Sequence, residues 1–231
     1  MFGLTDDATL IFLLRHGATD NNLARPPRLQ GRSVDLGLSE TGVDQARRAA
    51  RFLQRFPLAA VFASPLRRSR ETAQPIAKLQ QLPVQIIDDI TEVDVGEWEG
   101  RSWIDIEREE SDAYGRFIAD PGRYGYRGGE NLQQVRDRAI PAIERAAQQY
   151  CGRAIAIVAH NVVNRCFLSS ILHVPLAKAR AVTQDNGGIN VVRYRAANWK
   201  LVTLNHLFHL EQAEVSDVSG VSDVSERGAR R

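Results

Sequence analysis

Residues 9–17 read TLIFLLRHG. From Thr9 to Leu14 the run is nearly unbroken apolar and of strand length, which suits a strand buried on both faces; Arg15-His16-Gly17 then opens a loop. A second run of this kind, AIAIVA from Ala154 to Ala159, ends in His160 and leads into a helical pattern from about Val162 to Leu172. Shorter strands read at Ala59 to Ala63 and Val84 to Ile87, and two more near Asn190 to Arg195 and Lys200 to Asn205. Between them, Ser39 to Arg55 carries Val43, Ala46, Ala50 and Leu53 at helical spacing. Ser64-Pro65 reads as the N-cap and first residue of a helix to about Gln80. Segments 102–118 and 131–149 are helical in pattern, the second with a kink or boundary expected at Pro141.

Strand and helix in alternation imply an α/β fold, a mostly parallel central sheet with helices on both faces. Such sheets bind ligands at the carboxyl ends of their strands. Four polar clusters come after the apolar runs and are expected on that edge: Arg15-His16-Gly17, Ser64 to Arg70, Glu92 and His160-Asn161. One domain over residues 1–210 accounts for all of these elements. Residues 211–231, in which Val-Ser-Asp-Val-Ser occurs at 215–219 and again at 221–225, have few large apolar groups and read as a flexible tail.

Composition narrows the function classes. The 231 residues are 43% hydrophobic and 25% charged, as in ordinary globular proteins. With 28 acidic against 30 basic residues, the net charge of +2 supplies no global field for nucleic acid or an anionic membrane. Any anion affinity must be local. No apolar run approaches the roughly 18 residues of a membrane span. Met1 to Asp7 holds two aspartates and no basic residue, unlike a signal or transit peptide. Two cysteines cannot make a disulfide framework, and the reading is a cytoplasmic protein. That leaves five histidines as the scarce reactive groups.

Arg15-His16-Gly17 combines a permanent cation that forks onto phosphate oxygens, an imidazole able to act as nucleophile or proton carrier, and a glycine that lets backbone N–H groups approach a ligand. A histidine in a strand-end turn is more often structural, so the tripeptide alone decides little. His160 repeats the arrangement, now ahead of a helix whose first N–H groups favour anions.

The stretch Leu13 to Asn22 (LLRHGATDNN) resembles the signature of the histidine phosphatase superfamily, the phosphoglycerate-mutase-like fold. Further matches come in the family's order: Arg28 to Gly31 through Asp35, Leu38, Gly42, Gln45 and Ala46; Ser64 to Ala73 (SPLRRSRETA); Thr91 to Gly100 (TEVDVGEWEG); Gly128-Gly129-Glu130; and Val158 to Arg165 (VAHNVVNR). The resemblance covers residues 9 to about 205. It implies covalent phosphoryl transfer in which His16 is the nucleophile and Glu92 the acid-base, with His160 completing the catalytic set. Arg15, Arg68, Asn22 and Asn161 would bind the substrate phosphate. Alignment on Leu66 and Thr72 selects Arg68 over Arg67 and Arg70. Side chains then supply the charge that a metal supplies elsewhere, so neither metal nor cofactor is expected.

Departures from the pattern bear on substrate identity: Ala18 and Asn21 stand where glutamate and tryptophan are common, Asn161 where glycine is usual, and Pro65 in place of an acid. The implied function is a metal-independent phosphatase of small phosphomonoesters. A cofactor-dependent phosphoglycerate mutase is the alternative, disfavoured because residues 101–127 are shorter than the mutase insertion. A non-catalytic phosphate-binding protein is a third reading, against which His16, Arg68 and His160 are all retained. The expected partner is a small phosphorylated metabolite, not nucleic acid or membrane; a homodimer is compatible with the sequence. Arg25, Arg28, Arg32, Arg123 and Arg127 are candidates to meet a second anionic group. Trp98 and Trp103 read as packing of the turn before a substrate platform.

Overall fold

The computed structural model describes residues 7–211, so the tail lies outside the described residues apart from Glu211. In chain order the elements are β1 (Ala8–Arg15), α1 (Asp20–Leu23), α2 (Glu40–Leu53), β2 (Leu58–Ala63), α3 (Arg67–Gln80), β3 (Val84–Ile86), α4 (Trp103–Glu109), α5 (Ser111–Ala119), α6 (Leu132–Gln149), β4 (Ala154–Ala159), α7 (Asn161–Ile171), β5 (Ile189–Arg195) and β6 (Asn198–His206). Short 3-10 turns sit at Asp88–Ile90, Gly96–Trp98 and Leu176–Ala181.

The six strands form one sheet in the order β3-β2-β4-β1-β5-β6. The first four are mutually parallel, β5 pairs antiparallel with β1, and β6 pairs antiparallel with β5. Alternation along β1 divides the core: Ile11 and Leu13 pack with α6 and α7, while Leu10, Phe12 and Leu14 face α2 and α3. Both sides of β1 are therefore dry, which is why its sequence is apolar without interruption. Each large aliphatic side chain buried there contributes roughly 1.5–3 kcal/mol.

Three local expectations are corrected. Helix α3 starts at Arg67 with Leu66 as N-cap, not at Ser64-Pro65. The Ser64 hydroxyl does accept the Leu66 N–H at 3.2 Å, but it also faces His160, so the serine serves the strand-end cluster. Segment 102–118 is two helices, α4 and α5, broken at Glu110 (φ −136°, ψ 46°), whose carboxylate is held by Arg101, Arg127 and Trp98 Nε1. Helix α6 runs through Pro141, because its face of Val135, Ala139, Ala142, Ile143 and Ala146 stays buried on both sides of the proline.

The loop after β1 meets the start of α2 at two glycines. A Cβ on Gly42 would lie 2.0 Å from the Ala18 carbonyl oxygen, and one on Gly17 2.4 Å from the Gly42 oxygen. Neither backbone can give way without moving the loop beside His16. Gly42→Ala is expected to destabilise the fold by about 1–3 kcal/mol, read as a lower urea midpoint; an unchanged midpoint would refute the close approach.

Candidate active site

β1 and β4 are adjacent and in register, Arg15 opposite Ala159, so the loops that leave their carboxyl ends emerge side by side. The His16 N–H donates to the Ala159 carbonyl at 3.1 Å. The imidazoles of His16 and His160 stand 5.2 Å apart, centroid to centroid. β2 flanks β4 on its other side, and Ser64, one residue past β2, brings its hydroxyl to 2.6 Å from His160 Nε2. Arg68 enters from the first turn of α3 and Glu92 from the segment after β3.

The neighbours determine the protonation of each histidine. His16 Nδ1 lies 2.7 Å from the Gly17 carbonyl oxygen, which can only accept. Nδ1 therefore carries the proton, and Nε2 keeps its lone pair. Burial, then the charges of Arg68 and Arg15, hold the His16 pKa well below its ordinary value of 6.5. His160 is depressed in the same way by burial and by Arg68. The Ser64 hydroxyl accepts from Leu66 and still has a proton and a second lone pair to offer His160 Nε2, so the contact suits either tautomer of His160.

The arginines are deeply placed. Arg15 Nη1 donates to the Gln184 carbonyl at 2.7 Å, and burial lowers its pKa to about 10 against the opposing pull of Glu92. Arg68 is fully buried, donating from Nη1 to Val34 O (3.2 Å) and from Nη2 to Gly31 O (2.9 Å). Burial lowers its pKa as well. Arg15 Nε and Arg68 Nε are buried donors with no partner, and His160 Nδ1 is a buried ring nitrogen with none. Two buried cations in that state are costly unless an anion meets them.

Glu92, 4% exposed, is fixed in the wall: Oε1 accepts the Val93 N–H at 3.0 Å and Oε2 the Val162 N–H at 3.3 Å, in the first turn of α7. Asn22 Oδ1 accepts from Thr19 N, Thr19 Oγ1 and Asn186 Nδ2 at 3.1, 3.2 and 3.1 Å, so its amide NH2 is the end left for the cavity. Asn161 opens α7 and lines the same cavity, with Oδ1 buried and unpartnered. The cavity holds about 220 Å³ and also touches Arg15, Trp103, Tyr126, Arg165 and Arg180.

A model of the histidine phosphatase superfamily (branch 1) matches residues 11–207. The chain belongs to this superfamily. Phosphoserine phosphatase 1 of Hydrogenobacter thermophilus is 30% identical over 195 residues, which cover 84% of this chain and 91% of that protein. A metal-independent phosphoserine phosphatase of Arabidopsis thaliana is 33% identical over 84% of this chain and 79% of its own. Among solved structures, native mycobacterial glucosyl-3-phosphoglycerate phosphatase superposes with a TM-score of 0.75 at 26% identity, covering 86% of this chain and 99% of that one.

In this member of the superfamily, the strand edge gathers His16, His160, Arg15, Arg68 and Glu92, with Asn22 and Asn161 on the cavity lining. The second-anion candidates divide differently. Only Arg28 of the five touches the cavity; Arg32 pairs with Asp94, Arg127 with Glu97 and Glu110, and Arg123 lies over the Tyr124 ring. Trp98 is fully buried packing, whereas Trp103 reaches the cavity. Ser64 joins the site as a member of the Ser64 to Arg70 cluster, and Tyr126, Arg165, Arg180, Gln184 and Asn186 join it beyond the residues that the sequence marks as candidates. For Ser64 a signal existed, its place one residue beyond a buried strand; the others lie on helices and loops with no local pattern.

Proposed function

We propose that the protein is a metal-independent phosphatase that hydrolyses small phosphomonoesters through a phosphohistidine on His16. The observation that carries this reading is the pair of buried, unpartnered donors Arg15 Nε and Arg68 Nε, with the unpartnered Nδ1 of His160, around a neutral imidazole whose Nε2 keeps its lone pair. A phosphoryl group has three peripheral oxygens to meet such donors, and its transfer depends mainly on positioning and charge stabilisation.

Nε2 of His16 attacks phosphorus as the bond to the ester oxygen breaks, and Glu92 gives that oxygen a proton. Glu92, now a carboxylate, takes a proton from water as the water oxygen attacks phosphorus. The P–N bond breaks and its electron pair returns to Nε2. Ester and water become alcohol and inorganic phosphate, and the enzyme ends as it began. The relatives at 30% and 33% identity are named phosphoserine phosphatases, which supports hydrolysis, while relatives at 28% identity named probable phosphoglycerate mutases keep the mutase reaction as the alternative.

Phosphate release from a panel of phosphomonoesters, O-phosphoserine included, tests the reading. No release between mildly acidic and neutral pH would sink it. Guanidinium groups supply the positive charge, and among the described residues no group of three or more His, Cys, Asp or Glu could hold a metal ion. Activity is therefore expected to persist within about twofold in excess chelator; a strict magnesium requirement would contradict the mechanism. A cytoplasmic setting fits Cys151 and Cys166, neither of which is in a disulfide. Among the described residues no helix is long and apolar enough to cross a membrane.

A further inference from the structure

The loop that carries Arg15 and His16 rests on one short connection, residues 183–188 ahead of β5. The Gln184 carbonyl accepts from Arg15 Nη1 at 2.7 Å. The Gly187 N–H is shared between the Arg15 and His16 carbonyls at 3.2 Å each, and the Arg15 N–H donates to the Gly188 carbonyl at 3.1 Å. The connection is itself braced. Gln184 and Asn190, both buried, exchange two hydrogen bonds between their side-chain amides, at 3.0 and 2.8 Å. Asn205 Oδ1 accepts the Asp185 N–H at 2.9 Å while its Nδ2 donates to the Asp185 carboxylate at 2.6 Å. Asn186 stands between these fixed residues.

Asn186 Nδ2 lies 3.1 Å from the His16 carbonyl oxygen and 3.1 Å from Asn22 Oδ1. A backbone carbonyl only accepts, so the group that faces His16 is the NH2, and its two hydrogens serve one oxygen each. The Asn22 oxygen is fixed by the same reasoning, because it also faces the Thr19 N–H, at 3.1 Å. The Thr19 hydroxyl adds little: its single proton goes to Gln30 Oε1 at 2.7 Å in preference to Asn22 at 3.2 Å. Two donors therefore hold the Asn22 amide, the Thr19 N–H and Asn186. His16 has supports of its own, its N–H on the Ala159 carbonyl and its carbonyl on the Gly187 N–H. Removing Asn186 thus loosens Asn22 and leaves the nucleophile in place. An Asn22 amide turned over would set an acceptor oxygen against the phosphate oxygens where the NH2 should donate.

We propose that Asn186 is a positioning residue, which holds the Asn22 amide with its NH2 toward the substrate phosphate and acts on phosphate binding through Asn22. The proposal rests on the phosphatase reading for the identity of the anion. Asn22 is on the cavity lining and Asn186 is behind it, one hydrogen bond away.

A double-mutant cycle on orthovanadate binding, read by calorimetry and so without turnover, tests it. Asn186→Ala is expected to raise the orthovanadate Kd about tenfold. Asn22→Ala should raise it by a similar factor, and Asn186→Ala added to Asn22→Ala should cost less than about twofold, because no amide remains to be oriented. An equal cost in both backgrounds would mean that Asn186 only shores up the loop, and overturns the proposal; so does an Asn186→Ala protein that binds as the wild type does. Asn186→Asp keeps the size of the side chain but sets a carboxylate against two acceptor oxygens, so it should bind orthovanadate more weakly than the wild type by more than tenfold. Wild-type affinity in the aspartate variant overturns the proposal even where the alanine variant does not fold. Coupled losses in binding, together with no hydrolysis of any phosphomonoester by the wild type, overturn the phosphatase reading and leave the positioning role standing; hydrolysis with additive losses does the reverse.

Discussion

His16→Ala is expected to lower phosphatase turnover by a factor on the order of 10⁴ or more and to abolish labelling of the protein by a phosphate donor. No neighbouring group can take over. His160 has its Nε2 engaged by the Ser64 hydroxyl at 2.6 Å, which keeps that nitrogen from in-line attack. Cys166 is buried, donates to the Leu132 carbonyl and has its thiol pKa pushed up to about 12, so it supplies no thiolate. The phosphoenzyme of the wild type should be acid-labile and alkali-stable, as a P–N bond is. An acid-labile phosphoenzyme that survives His16→Ala would refute the assignment.

The same residue determines the acid limb of the pH profile. Protonating Nε2 removes the attacking lone pair, and burial together with Arg68 and Arg15 moves that protonation well below 6.5. A lowered pKa shifts the loss of activity to lower pH, so kcat/KM, corrected for ionisation of the substrate, should pass through pH 6.5 without falling by half. An acid limb centred at 6.5 would mean an imidazole exposed to solvent.

How much of this is legible in residue order depends on the range of the interactions. β1 and β4 are buried on both faces, so each advertises itself as an apolar run, and parallel pairing then forces Arg15, His16 and His160 together. Only the topology of the sheet is needed to bring them there. Ser64 is different: serine before proline satisfies the local rule for a helix start, but the serine is claimed instead by His160 on the neighbouring strand, 96 residues away. The break at Glu110 has the same character, since the carboxylate that fixes it is held by Arg101, Arg127 and Trp98 from three separate places. Arginine roles are the least legible of all. In a chain with so many, a loop arginine such as Arg127 and a helix arginine such as Arg165 look alike until the carboxylates around them are located. Trp98 and Trp103 are likewise alike in sequence, and only the packing of α4 and α5 puts one inside the core and the other on the cavity.

Glu92→Gln is expected to separate the two halves of the reaction. Both oxygens of the side chain accept backbone N–H groups, from Val93 and Val162, so glutamine, equal in size, keeps one of these bonds and can neither give up nor accept the proton at the reacting centre. With an alkyl ester the leaving alkoxide needs that proton, and phosphorylation of His16 should slow by about 10²–10⁴-fold with no burst of alcohol. p-Nitrophenyl phosphate has a leaving group stable as the anion, so the first step proceeds without an acid. The second step still needs a base to take the proton of water. The variant should then release one equivalent of nitrophenol per active site in a rapid burst and afterwards turn over slowly, with His16 accumulating as phosphohistidine. A burst with p-nitrophenyl phosphate but none with an alkyl ester assigns both proton transfers to Glu92. Equal slowing of both esters with no burst would show that the carboxylate acts only by orienting the start of α7, and the proton carrier would have to be sought elsewhere on the cavity wall.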